Sequence, residues 1–250
     1  ARRLAMNAFR LGIGGELEAL ETAHVVVLDA NGAVVGDLDA EAPAIVDAIR
    51  RGIGECVAAG TVAVGDISNT LLSVPALIGS DLAAVVFYEL IRFNAPTPQD
   101  LLSQACHQVE ALNTSPQVRV SLAAHAPYSV APGIFAGMRR AMEAHGLSPS
   151  SVHLSESREE TEFIREGTGP WRQFLQDIGA WDPAWIPAGV TPVAYLDGLG
   201  FLGNDTLVVH GVQMSMADLS LLAARACTRA FASLGHTPLV GNFSARYSMM

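Results

Sequence analysis

Apolar residues in this chain follow two rhythms. Short runs rich in β-branched residues read as buried strands. Stretches with apolar positions every three or four residues read as amphipathic helices. Val25–Leu28 and Ala33–Val35 flank Asn31-Gly32. Asn-Gly between apolar runs predicts a hairpin, because both residues accept positive φ. From Glu41 the pattern changes. Ile45, Ile49, Ile53, Cys56 and Val57 fall at helical spacing until Gly60 ends the run. Five strands are then expected: Thr61–Val64 running toward Asp66, Leu82–Tyr88 closed by Glu89, Val118–Ala124 ending at His125, Ser151–Leu154 carrying His153, and Thr206–Val209 ending at His210. Helices are expected between them. One covers 99–112, with Thr97 as N-cap and Pro98 at the first helical position. The others cover 131–145, 159–178 with a break at Gly167–Gly169, 193–199 and 217–226. Residues 180–191 form a loop rich in Trp and Pro, and no period is evident after Thr228.

Strands alternating with helices imply a mainly parallel sheet. No GxGxxG follows the first strand and no P-loop is present, so dinucleotide and NTPase readings lose their main support. A length of 250 residues suits one (β/α)8 barrel. The expected fold is therefore α/β, a (β/α)8 TIM-type barrel over 41–250 with a small flanking β element over 1–40. The pattern supplies about five βα units where closure needs eight. The barrel is expected to be incomplete in this chain, with suspected breaks near Asp37–Asp39 and near Thr228.

The net charge of −10 argues against binding a phosphate backbone, so no nucleic-acid partner is expected. The sequence has no Lys at all. That excludes a Schiff-base lysine, a P-loop lysine and a carboxylated bridging lysine. Cys56, Cys106 and Cys227 are odd in number and widely spaced, which suits buried thiols better than a disulfide framework. No apolar run approaches the roughly 20 residues a membrane span needs, and Arg10 interrupts the apolar stretch near the start. No membrane partner and a cytoplasmic location are expected. Homo-oligomerisation is left open.

The candidate chemistry lies at the strand ends. Asp66, Glu89, His125, His153 with Glu156, and His210 all fall at or just past apolar strands. In a (β/α) barrel these ends open on one face. A single histidine at a strand end is usually a hydrogen-bonded structural residue; a recurring set is harder to explain that way. Neutral imidazole at His153 suits a divalent metal, and Glu156 three residues on suits proton transfer. Glu159, Glu160 and Glu162 are expected to be solvated charges at a helix N-terminus. Trp171, Trp181 and Trp185 are open between exterior packing and a lid over the strand ends, where an aromatic wall would suit a flat heterocycle. Tyr128 is open in the same way.

HLSE at His153–Glu156, VVHG at Val208–Gly211 and AHAPYSV at Ala124–Val130 resemble motifs of the amidohydrolase superfamily, in its cytosine-deaminase-like and chlorohydrolase-like branch. The resemblance spans about 42–227. It implies that His153 binds one divalent metal ion, Zn with Fe or Mn as alternatives, and that Glu156 and His210 are catalytic. It implies that His125 touches a small-molecule substrate, and Glu89 and Tyr128 join it as expected substrate contacts. The implied reaction is hydrolytic deamination, or a related displacement, at a ring carbon of an amino- or halo-substituted heterocycle. His210 would steady the developing charge while Glu156 carries the proton to the leaving group.

Two family features are missing: no HxH occurs, and no acidic residue after His210 matches the family's closing Asp, since Asp218 falls on a helix and His236 stands alone. Segments of the full protein outside this chain would account for this. So would a barrel-derived binding or structural protein that has lost its metal site.

Overall fold

The strands reach their length from β-branched and small apolar residues, and the helices fill the intervals between them. In this computed structural model the structure describes residues 24–28, 34–39 and 43–230. Strands β1 (His24–Leu28) and β2 (Val34–Asp39) pair antiparallel, with His24 opposite Asp39. This is the expected hairpin; its Asn31-Gly32 turn lies outside the described residues.

Helix α1 (Pro43–Ala58) leads into β3 (Ala63–Ser68), followed by α2 (Val74–Ile78) and β4 (Ala83–Leu90). Then come α3 (Pro98–Glu110), β5 (Val118–Ala124), α4 (Pro132–Ala144) and β6 (Ser150–Leu154). Two helices, α5 (Arg158–Glu166) and α6 (Pro170–Asp177), precede α7 (Pro192–Gly198), β7 (Thr206–His210), α8 (Met216–Ala224) and β8 (Thr228–Ala230). Gly167, at φ 69°, closes α5 in the left-handed region, and Gly169, at φ 85°, opens α6. Those backbone angles suit glycine and split the stretch anticipated as one interrupted helix.

Strands β3 to β8 form one six-stranded sheet in sequence order, every pair parallel. Each strand adds on the same side of the last, with no reversal of order. A doubly wound sheet has such a reversal; a (β/α) barrel does not. The architecture is that of an incomplete (β/α)8-type barrel. One correction follows. The count of five strands missed β8, which pairs in parallel with β7 through Leu207 and Thr228. Three residues are too few to show a period.

The two faces of the sheet differ in character. Val86, Leu122, Val152, Leu154 and Val208 are all buried in the core shared with the helices. Burial of each such side chain contributes roughly 1.5–3 kcal/mol. On the alternate positions of the same strands stand Glu89, Ser121, Ser151 and His153. Gly137 lets α4 approach α3, since a Cβ there would lie 2.8 Å from Leu102 Cδ1. Thr97 stands at the N-cap of α3 as expected, but its side chain accepts no capping hydrogen bond. The thiols of Cys56, Cys106 and Cys227 are free. No helix among the described residues is long and apolar enough to cross a membrane.

Candidate metal and proton-transfer site

Glu89 is the next-to-last residue of β4, His125 follows β5, His153 is next to last in β6, and His210 ends β7. Neighbouring parallel strands therefore carry all four to the same edge of the sheet. One ligand atom each from Glu89, His125 and His153 lies within 4.8 Å of the others. The His125 and His153 rings are 5.1 Å apart, and the His153 and His210 rings 5.3 Å. His210 Nε2 stands 3.6 Å from Glu156 Oε2. The anticipated convergence of His125, His153, Glu156 and His210 is present.

The hydrogen bonds set the ring orientations. Ser129 Oγ donates to the Ala126 carbonyl at 3.1 Å, so His125 Nδ1, 2.6 Å from that hydroxyl, is placed to donate to it. His153 Nδ1, 3.1 Å from the His125 carbonyl, must be the donor in that bond, since the oxygen has no proton. Both imidazoles then carry their lone pair on Nε2, the arrangement of a metal-binding histidine whose other nitrogen is tethered.

Electrostatics favour neutral rings. Burial, then the charges of His153 and His210, push His125 down to about 3. Burial and His210 also lower His153, against the opposing pull of the His125 carbonyl and Glu156. Burial raises the Glu89 carboxyl to about 7, although an Asn69 hydrogen bond opposes it. Asn69 Nδ2 donates to Glu89 Oε2 at 3.2 Å. Glu89 Oε1 is buried with no hydrogen-bond partner, and His153 Nδ1 lies 3.4 Å away. A buried acceptor left without a donor is costly. A cation at that point would supply what the oxygen lacks.

Asp66 does not join the group. It sits within β3, paired with the core residue Val86, and accepts a 2.5 Å hydrogen bond from Ser73 Oγ. Asp218 is structural: it forms a capping box with Ser215 and accepts from Thr191 Oγ1 at 2.5 Å.

The aromatic residues divide. Trp181 stacks on Phe93 and Trp185 on Phe163, so both are packing residues. Trp171 stacks on Tyr128 at 3.9 Å, and Tyr128 meets His125 edge-on at 5.7 Å. This pair forms an aromatic wall beside the histidines. Burial, helped by Glu160, Glu156 and Glu89, raises the Tyr128 phenol, which stays protonated.

Glu160 is the main correction. It is not a solvated charge: it is 0% exposed, and its carboxylate accepts from the backbone amides of Ser155 and Glu156. Burial raises its carboxyl to about 8, against these amide donors. The spacing Ser157-x-x-Glu160 is a capping-box pattern and was the available signal. Asn69 and Ser129 gave no signal, since their partners come from the folded geometry. Glu159 is exposed as expected, whereas Glu162 is half-buried and accepts from Thr168.

No family model matches the chain. Over 120 residues it is 32% identical to a 5-methylthioadenosine/S-adenosylhomocysteine deaminase of Thermococcus sibiricus, a match covering 48% of this chain and 23% of that protein. The structure of Helicobacter pylori aminofutalosine deaminase in complex with methylthio-coformycin superposes with a TM-score of 0.64 at 23% identity, over 74% of this chain and 45% of that one. A zinc-bound adenosine deaminase from Xanthomonas campestris gives a TM-score of 0.58 at 20% identity, over 74% and 38%. At these identities the likeness to the solved structures is one of fold. The chain spans less than half the length of the curated relatives it matches.

Proposed function

We propose that the chain belongs to the amidohydrolase superfamily, in its cytosine-deaminase-like and chlorohydrolase-like branch, and that it serves hydrolytic deamination of a small amino-substituted heterocycle. The observation that carries the reading is the Glu89–His125–His153 cluster, with Glu89 buried and the two histidines half-buried. The relatives' deaminase activities support an aminopurine nucleoside as the substrate class. The same reading treats 1–40 as a small flanking β element and 41–250 as the barrel domain.

The donor set fits a divalent metal. Two neutral imidazoles and a carboxylate are three protein ligands, the number a catalytic zinc site commonly uses. Zinc is the proposed ion. Glu89, His125 and His153 would hold it, so Glu89 and His125 move from the substrate role expected of them to the metal's donor set. When bound, such an ion acts as a Lewis acid and lowers the pKa of water.

The remaining steps belong to this chain's side chains. Glu156 is half-exposed at the mouth of the cluster, where a carboxylate can take a proton from water and deliver it to a leaving amine. His210, 3.6 Å from that carboxylate, can donate a hydrogen bond to the oxygen that adds at the ring carbon. Tyr128 and Trp171 offer a flat wall against which a heteroaromatic ring stacks. Leaving Glu89 Oε1 buried and without a donor would be unfavourable in a barrel that had lost its metal, which weighs against a purely structural role.

Zinc titration followed by an ammonia-release assay on aminopurine nucleosides tests the proposal. One equivalent of bound zinc with metal-dependent ammonia release is expected. Zinc bound without turnover on any aminated heterocycle would favour a non-catalytic binding protein.

A further inference from the structure

We propose that Glu160 is the positioning residue for Glu156, its buried carboxylate clamping the two backbone amides that aim Glu156 at His210. The inference rests on the proton-transfer role assigned to Glu156 above.

Each carboxylate oxygen of Glu160 takes one amide: Oε1 accepts from Ser155 N and Oε2 from Glu156 N, both at 2.8 Å. Glu160 occupies the third position of α5, behind the N-cap Ser157, whose hydroxyl accepts from Glu160 N. A glutamate there ordinarily reaches back to the amide of the N-cap residue itself. This one reaches one and two residues further, onto the segment joining His153 to Glu156. Ser155 has φ 54°, a left-handed conformation unusual for serine. Something must hold it there, and the clamp does so from one side. From the other, Ser155 O accepts from Gln213 N at 2.8 Å and Leu154 O accepts from Gly211 N at 2.9 Å. Those two bonds join the loop bearing Glu156 to the segment that follows His210. The carboxylate, the strained serine and the paired loops together fix the 3.6 Å approach of Glu156 to His210.

A carboxyl group can accept from both amides whether ionised or protonated, since its hydroxyl oxygen keeps a lone pair. A glutamine cannot: its NH2 would face an N–H. In the full chain with zinc, Glu160→Gln should raise amide exchange at Ser155 and Glu156 by about tenfold or more, the loss of one good hydrogen bond. It should lower kcat for ammonia release by about tenfold or more, with KM and zinc affinity unchanged. Glu160→Asp, which keeps two oxygens, should recover part of kcat. Unchanged exchange at Ser155 and Glu156 would overturn the proposal. So would a rise in exchange spread over β5 and β6 with loss of zinc. If the unsubstituted protein shows no turnover, the role of Glu156 fails, and the local exchange measurement still judges the clamp. Should Glu160→Gln fail to fold, the unsubstituted protein decides: protection of both amides supports the clamp, and exchange at free-peptide rates refutes it.

Discussion

Leu154 and His210 are paired in register on β6 and β7, yet their side chains serve opposite faces of the sheet. Leu154 is 0% exposed in the helix-facing core. By alternation His210 would point the same way. Instead its ring lies 5.3 Å from that of His153, on the other face. The cause is its backbone, at φ 73°. A left-handed residue at the end of a strand turns its side chain out of the pleat, at a cost of about 1–3 kcal/mol that the surrounding contacts must offset.

Glu156 gives the most direct catalytic test. Glu156→Gln should lower ammonia release by a factor of about 10²–10⁴, the usual contribution of a positioned proton-transfer group. Zinc affinity should be unchanged, because Glu156 is outside the donor cluster. Steady-state kinetics and calorimetric zinc titration check the two halves separately.

Glu89 and His153 test the donor set. His153→Ala should abolish stoichiometric zinc binding, and Glu89→Gln should weaken it by about tenfold or more. If Glu89→Gln instead leaves zinc affinity intact and raises KM, Glu89 contacts substrate, as the sequence first implied.

Much of this was legible in the sequence, for identifiable reasons. Strands β4 to β7 are apolar runs with polar residues at their ends, so His125, His153 and His210 could be placed before any coordinates. Asp66 was misread because a short strand of small residues hides its own end: β3 continues through Ser68. Glu160 was misread because a charged residue at a helix N-terminus has a ready solvated explanation. Only the folded loop shows two amides aimed at its oxygens. The left-handed backbone of His210 and Ser155 has no sequence signal either, since neither residue is glycine.

Glu160 also predicts a pH dependence of stability. Burial raises its carboxyl from the ordinary 4.5 to about 8 in the folded state. The folded chain therefore holds this proton more tightly than the unfolded chain. Its contribution is fully present below pH 4.5 and is lost as pH rises through about 8. The stability advantage of the unsubstituted protein over Glu160→Gln should shrink as pH rises. Urea midpoints of both proteins at about pH 5 and about pH 8.5 measure this, and an advantage that grows with pH would contradict it.

Phe163 anchors the 180–191 loop. It is 0% exposed, stacks on Trp185 at 4.8 Å and meets Phe93 edge-on at 5.6 Å. Phe163→Ala should destabilise the fold by about 3–5 kcal/mol, the range for deleting a buried ring. Denaturant unfolding followed by Trp fluorescence would show it.

The two backbone bonds between the segments after β6 and β7, Gly211 N to Leu154 O and Gln213 N to Ser155 O, bear on how such a site can change. Glu156 and His210 sit on what is mechanically one piece. Exchanging either loop alone for that of another barrel would break the splice and misalign both residues. Sequence novelty in this region should therefore be inherited as a two-loop cassette. The 180–191 loop, held through Trp181 on Phe93 and Trp185 on Phe163, lies outside that splice and can vary independently of it.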